Sequence, residues 1–568
     1  MVPRQTNPVV GTSFAQADAI ATRLASRKED WVRLSVADRI AYLERCLHDV
    51  MAVADAWAEA CCRAKGMNPE ATLAGEEWFV GPIATMGYLR LLIKTLKANG
   101  QPPVKLCVRH GQTIAQVFPD HLMERLLWLG FRGEVWLQPG QPATQGRVYR
   151  QPSQQGKVAL VLGAGNVSAI APLDALYKLF ADDAVVLLKM NPVNEYMGSI
   201  LEVAFRSLQQ DGFLDVVYGG ADLGHHLCQH SLVDTIHITG SHHTHDAIVW
   251  GDTPAEQAQR KAANQPRTTK PITSELGCVT PVIVVPGAWS TADLTFQARH
   301  IAGMVAHNAS FNCAAAKVVV TAKGWAQRDA FLAQLQQELA QTPARNAYYP
   351  GAKERYQAFL ARYPEAIALS SVTIAPQHCE EPQNTLPWTF IPNVPARAGE
   401  YILTQEAFCG VLAEVSLEAS DAGAFLTQAV DFVNEQVWGN LSCTVLVDSQ
   451  TQQQWSTEVE SAIAQLRYGA IGVNVWSAVI FSLSVLPWGA FPGNPLANIA
   501  SGQGVVHNAY LFDHPQKAVL RAPFRILPLP IWFARHQNLL ALAQQFIAFQ
   551  VQPSWQRWFK VVVEALRG

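Results

Sequence analysis

From Trp31 to Leu47 apolar residues recur every three or four positions, in Trp31-Val-Arg-Leu-Ser-Val-Ala-Asp-Arg-Ile-Ala-Tyr-Leu-Glu-Arg-Cys-Leu47. That is the period of a helix with one buried face, and residues 12–66 read as helices on this ground. Ser35 followed three positions later by Asp38 is a helix-start pair. Residues 100–150 carry fewer helical signals and short strand-like pieces such as Val135-Trp-Leu137. A different rhythm begins at Lys157. The apolar run Lys157–Leu162 ends in Gly163-Ala-Gly-Asn166, and a helical stretch at 172–180 leads to the run Ala184–Lys189. A helix near 195–210, the run Leu214–Tyr218, the turn Gly219-Gly-Ala-Asp-Leu-Gly224 and the run Thr235–Thr239 continue the alternation. Such alternation predicts a parallel, doubly wound sheet. Ligands of these sheets bind beyond the carboxyl ends of the strands, where Asn166, Lys189 and Gly240-Ser241 fall.

A second αβ series runs from Pro281–Val285 to about residue 460, through Lys317–Thr321, a helix at 326–339 and Thr444–Val447. A domain boundary is expected near 271–275, and the polar segment 251–270 reads as a surface loop. No Asp, Glu, Lys or Arg occurs from Tyr468 to Phe512. A membrane span needs about 20 consecutive apolar residues. Here Asn474, Pro487, Gly489, Pro492 and Gly493 cut the stretch into pieces, which favours a buried strand and an apolar loop.

Composition narrows the function classes. A chain of 568 residues exceeds one ordinary core and implies two or three domains. Its net charge of −3 supplies no attraction for nucleic acid, and no nucleic-acid partner is expected. The first residues, Met1-Val-Pro-Arg-Gln-Thr-Asn-Pro8, lack the apolar core of a signal peptide, which predicts a cytoplasmic protein. Ten scattered cysteines without a CxxC pair fit reduced thiols.

One thiol and one carboxylate carry the candidate chemistry. Cys313 closes Val305-Ala-His-Asn-Ala-Ser-Phe-Asn-Cys313 and follows Glu275, in Glu275-Leu-Gly-Cys-Val-Thr-Pro281, by 38 residues. Each lies at the edge of an apolar strand-like run. A thiol so placed attacks a carbonyl, and the carboxylate activates the water that releases the acid. His237, His242, His243 and His245 cluster around Gly240-Ser241 without an acidic or thiol ligand beside them, so no metal is expected.

These landmarks, in this order, resemble the aldehyde dehydrogenase superfamily over roughly residues 15–515. Glu275–Pro281 is similar to the family's ELGGKxP, and Cys313 stands where the family has its nucleophile. Asn166 precedes Lys189 by 23 residues, as the family's oxyanion asparagine precedes its ribose-binding lysine. Ile238-Thr-Gly-Ser241 resembles FTGS, Glu406-Ala-Phe-Cys-Gly410 resembles ExFGP, and Gly472-Val-Asn474 with the following apolar loop resembles the substrate-tunnel segment.

The resemblance implies a Rossmann-like cofactor domain, an α/β catalytic domain and a small strand arm for oligomerisation. Its cofactor domain spans 1–274, with arm sequence near 131–150 and a return at 461–495. The catalytic domain spans 275–460, an arm segment 496–523, and a C-terminal extension 524–568. Cys313, Glu275 and Asn166 become the catalytic residues. Lys189 falls to the adenine ribose, Gly240 and Ser241 to the pyrophosphate, Glu406 to the nicotinamide ribose and Phe408 to the nicotinamide face. NAD or NADP is the implied cofactor, since Pro192 stands where NAD-preferring members often carry a glutamate. The implied reaction is oxidation of an aldehyde, apolar because loop 475–491 is uncharged and aromatic-rich. The family's habit implies a homodimer or homotetramer.

Departures keep alternatives open. Ser310 replaces a family glycine, Cys278 the second glycine of ELGG, and Cys409 the glycine of ExFGP. Gly165-Asn-Val167 is also similar to acyl-CoA reductases, which pass the thioester to or from coenzyme A; Glu275 favours water. A non-catalytic binding or assembly module is the reading from another class. Residues 516–568 hold seven Lys/Arg against Glu564 alone, interleaved with Trp532, Phe546, Trp555 and Phe559. Such a tail suits its own protein's surface, a partner or a membrane face.

Overall fold

Helices Phe14–Arg33 and Val36–Ala64 each start on a serine that caps the backbone three residues on, as the Ser35–Asp38 spacing predicts. Ser35 Oγ accepts from the Asp38 N–H at 3.1 Å, while Asp38 Oδ2 accepts from the Ser35 N–H at 3.3 Å. The apolar stripe of the second helix, including Leu43, Val50, Val53 and Trp57, is fully buried. The structure is a computed structural model describing residues 9–369 and 384–568.

The two expected sheets are present. The first has six strands in the order Gly502–Gln503, Ile272–Leu276, Thr235–Gly240, Lys157–Leu162, Ala184–Lys189 and Leu214–Val217. All but the first pairing are parallel. Parallel strands covered on both faces read as continuous apolar runs, which is why Val185–Leu188 was legible as strand. In register, Leu162 pairs with Lys189 and Thr239 with Glu275. This brings Asn166, Lys189, Ser241 and Glu275 out at one end of the sheet.

The second sheet has eleven strands, with Thr280–Val284 and Ala316–Ala322 adjacent at its centre. The Lys105–Arg109, Gln112–Phe118, Arg132–Leu137 and Pro515–Arg521 strands form one flank, joined to Ala470–Val473 of the same chain. The uncharged stretch after Tyr468 supplies that buried strand, the short helix Ala478–Leu483 and connecting loops. Among the described residues no helix is long and apolar enough to cross a membrane.

Segment 251–270 corrects the sequence reading: it lies on the surface, yet Pro254–Ala263 is helical. Thr253 caps it, Pro254 occupies its first turn and Glu256 pairs with Arg260 one turn on. No residue of this helix is buried, so it has no apolar period to reveal it.

The C-terminal extension folds back on its own chain as helices Leu539–Val551 and Trp555–Leu566. The first packs on Gly75–Trp78, and the second on the first. The extension leaves Trp555, Phe559, Val563 and Leu566 exposed on its outer face.

Candidate active site

Glu275 leaves the first sheet as the next-to-last residue of its strand, and Cys313 sits on the turn that enters the central strand Ala316–Ala322. Thr280 Oγ1 donates to the Cys313 carbonyl at 3.0 Å, tying that turn to the neighbouring strand. The Cys313 Sγ donates to Asn312 Oδ1 at 3.9 Å, and Glu275 lies near enough to the thiol to act on it electrostatically. Burial first, then the negative charge of Asp174, pushes Glu275 up to about 8. Burial, reinforced by Glu275 and Glu406, pushes the Cys313 thiol well above its ordinary value. The resting pair therefore holds its protons at neutral pH, and Glu275 becomes a base as the pH rises through about 8.

Asn166 is buried, and its carboxamide Nδ2 donates to the Phe311 carbonyl at 3.1 Å, inside the nucleophile segment. Asn166 and Cys313 line one cavity of about 50 Å³ together with Phe79, Val479, Trp476 and Trp532. Two of the three expected catalytic residues, Asn166 and Cys313, thus meet at one small, apolar space, and Glu275 lies close to the thiol.

Unexpected is how the turn before Cys313 is held. Asn308, Ala309 and Ser310 all lie in the left-handed region, with φ of 52°, 54° and 69°. Each such non-glycine residue costs roughly 1–2 kcal/mol. The position of Ser310 is where the resembled family has glycine, and its backbone explains that preference. Compensation comes from a buried polar network. The Asn308 N–H donates to Glu76 Oε1 at 2.8 Å, and its Nδ2 donates to the carbonyls of Asn166 and Phe311 at 2.9 and 2.8 Å. Lys65 Nζ, paired with Glu77 at 2.7 Å, donates to Asn308 Oδ1 at 2.9 Å. Lys317 Nζ donates to Ser310 Oγ at 2.7 Å. None of these partners has a local sequence signal.

Trp488 was also not singled out, although the uncharged loop 475–491 contains it. Its Nε1 donates to Glu275 Oε1 at 3.3 Å, favouring the ionised carboxylate. Trp488→Phe removes that donor, so the rising limb of a kcat–pH profile is expected to move above its wild-type position near pH 8. At pH 7 kcat then falls by up to about tenfold. A profile from pH 6 to 10 checks this; an unmoved limb contradicts it.

Among the cofactor candidates, Lys189 and Ser241 leave the first sheet at the same end as Glu275. Lys189 is buried at its strand end, where its Nζ donates to the Met190 carbonyl at 3.2 Å. Burial pulls its ammonium down, while Asp222 and Glu195 hold it up. Gly240 is exposed, and Ser241 caps the helix His242–Trp250, whose N-terminal N–H groups suit a phosphate. Burial pushes Glu406 up to about 7. Its Oε1 is buried without a hydrogen-bond partner among the described residues. A Cβ on Gly277 would collide with this carboxylate, so glycine is required there. Phe408 joins an aromatic group with Tyr349 and Phe311, at centroid distances of 5.0 and 5.8 Å. An ammonium at one strand end, a capped helix start and an orphaned carboxylate oxygen near the thiol fit a dinucleotide.

The histidines have separate structural partners. His237 bonds Thr273 at 2.9 Å beside Asp174, His242 meets Trp438 in a tilted pair with centroids 4.7 Å apart, and His245 contacts Asp246 at 3.2 Å. Among the described residues no group of three His, Cys, Asp or Glu is placed to hold a metal ion, and the nine described cysteines are free thiols.

The family model of the aldehyde dehydrogenases matches residues 133–489, and the chain belongs to that family. Among solved structures, an NADP-dependent enzyme of E. coli is 18% identical over 91% of both chains, with a TM-score of 0.62. The aldehyde dehydrogenase KauB of Pseudomonas aeruginosa is 17% identical over 90% of both chains, also with a TM-score of 0.62. An NADP-dependent glyceraldehyde-3-phosphate dehydrogenase of Bacillus halodurans C-125 is 15% identical, with a TM-score of 0.61 over 90% of this chain and 92% of that one. At such identities the likeness defines the fold. No curated protein sequence matches the chain.

Proposed function

We propose that this protein oxidises an apolar aldehyde to a carboxylic acid with a nicotinamide dinucleotide, through a thioester on Cys313. The observation that carries the reading is Cys313 sharing an apolar cavity with Asn166, with the Glu275 carboxyl close enough to raise the thiol. The Cys313 thiol loses its proton to solvent, and the sulfur adds to the carbonyl carbon to give a thiohemiacetal. The Asn166 Nδ2, turned from Phe311, donates to the developing oxyanion, a contribution of about 3–4 kcal/mol in comparable sites. A bound nicotinamide supplies the hydride acceptor. Glu275 then takes a proton from water as the oxygen adds to the thioester carbonyl. The carbon–sulfur bond breaks, the acid leaves, and Cys313 recovers its proton from Glu275. A carboxylate close to the thiol supports water as the acyl acceptor over coenzyme A.

Asp222 and Glu195 beside Lys189 support NAD over NADP, because both would repel a 2′-phosphate. The position three residues after the lysine does not report this; folding brings the two acids there from residues 195 and 222. Asp222→Asn with Glu195→Gln is expected to raise the NADP/NAD ratio of kcat/KM about tenfold. An unchanged ratio refutes the assignment.

The direct test is absorbance of reduced nucleotide with a panel of aldehydes, with and without coenzyme A. Turnover without coenzyme A, yielding free acid, is expected. Turnover only with coenzyme A moves the reading to an acylating reductase. Nucleotide binding without any turnover moves it to a non-catalytic member.

A further inference from the structure

The cavity at Cys313 has a larger neighbour across one of its walls. Five of its lining residues, Phe79, Val479, Ser482, Ile531 and Trp532, also line a second cavity of about 380 Å³. That volume is in the range of small-molecule sites. The residues between the two spaces come from both ends of the chain: Phe79 from the N-terminal helices, Val479 from the uncharged segment, Trp532 from the extension. The second cavity is floored by Leu542, Phe549 and Val561, three buried residues of the two C-terminal helices. Its polar groups gather at one place: Lys94 pairs with Asp120, near His121 and Glu124, and the Lys94 and Asp120 side chains are 43% and 41% exposed. An apolar interior with a solvated polar rim is the form of a channel for a chain that enters from water and buries itself.

The extension is fixed in this position rather than draped over it. The Trp532 backbone lies so close to Gly303 that a Cβ there would strike the Trp532 carbonyl. Gly303 belongs to the helix Thr291–Ala306, which leads directly into the nucleophile turn. Trp558 Nε1 donates to the Met123 carbonyl at 3.1 Å, and Arg557 to the Ala548 carbonyl at 2.6 Å. Arg90 of the helix Ala84–Lys97 donates to the Gln550 carbonyl, tying the helix Leu539–Val551 to the body of the chain.

We infer that segment 524–568 builds the far half of an acyl-chain tunnel, and that the substrate is an unbranched aliphatic aldehyde on the order of ten carbons or longer, each methylene needing about the 30 Å³ of a water. This inference rests on the aldehyde-oxidising reading and names its substrate class. The aldehyde carbon reaches Cys313 past Phe79 and Trp532, and the hydrocarbon remains in the larger cavity against Leu542 and Val561. The basic, aromatic composition of the tail then has a division of labour: its inward residues wall the chain, and its cations lie outside.

The test is kcat/KM for saturated aldehydes from four to sixteen carbons, in the wild type and in Val561→Trp and Leu542→Trp, two separate intrusions into the larger cavity. In the wild type kcat/KM is expected to rise roughly fourfold per added methylene until the cavity is filled. Each tryptophan is expected to lower the dodecanal-to-butanal ratio at least tenfold. A wild-type profile independent of chain length, or an unchanged ratio in both variants, overturns the inference. Displacement of an environment-sensitive fluorophore by dodecanoate separates the two readings, because it needs no catalysis. Dodecanoate binding that is lost in the folded variants, with no aldehyde oxidised, keeps the tunnel and removes the function. Oxidation of short aldehydes with no dodecanoate binding keeps the function and removes the tunnel. A variant that fails to fold by circular dichroism leaves the other variant and the wild-type binding assay to decide.

Discussion

Cys313→Ala is expected to lower aldehyde-dependent reduction of the nucleotide at least about a thousandfold, because the covalent route disappears with the sulfur. The protein should still fold. The thiol is only partly buried, and the turn carrying it is fixed by Thr280, Asn308, Lys65 and Lys317 rather than by the sulfur. Melting temperature and nucleotide binding are therefore the controls. A variant that melts as the wild type does and still turns over at the full rate would show that the thiol is not the nucleophile. Eight other described cysteines offer no substitute: Cys278 and Cys409 lie nearby, yet both are fully buried and held above their ordinary thiol range, to about 11, by desolvation.

The sequence revealed this fold where the physics is local or periodic. The Ser35–Asp38 cap is complete within four residues, and Val185–Leu188 is apolar throughout because both faces of its strand are covered. The proposed catalytic trio was legible through spacing, since Glu275, Asn166 and Cys313 each lie in or beside a strand whose pattern is clear. Helix Pro254–Ala263 was hidden because all its residues meet solvent, so only its cap and its Glu256–Arg260 pair mark it.

The left-handed turn Asn308–Ser310 was hidden for the opposite reason. Nothing in Asn-Ala-Ser asks for that backbone; Glu76, Glu77 and Lys65, more than 200 residues earlier, impose it. The tail was ambiguous in the same sense. Its amphipathic pattern says that one face is covered, and only the close approach at Gly303 and the bond to Met123 say by what. Local pattern finds elements; which strained turn or apolar face is tolerated is decided by residues far away in sequence.

Glu275→Gln should separate the two halves of the reaction. Loss of a positioned general base costs about 10²–10⁴ in the step it serves. Release of the acid needs that base, because water is a poor nucleophile toward a thioester. Steady-state turnover is then expected to fall by about that factor, while mixing enzyme, nucleotide and aldehyde yields a burst approaching one equivalent of reduced nucleotide per site. Intact mass measurement should find the acyl group on the protein, and the same measurement in Cys313→Ala should not. The sign of the pH effect follows from burial and Asp174, which raise Glu275 to about 8. Below that pH the wild-type carboxyl is mostly protonated, so hydrolysis rises with pH through about 8; in Glu275→Gln that limb is absent. Hydroxylamine, which attacks a thioester without a base, should restore turnover in the variant. Rescue equally well by coenzyme A at low concentration would mean that a thiol is the native acyl acceptor. A variant that hydrolyses at the wild-type rate would mean that water is activated elsewhere, with Glu406, held near 7 beside the same thiol, the next residue to remove.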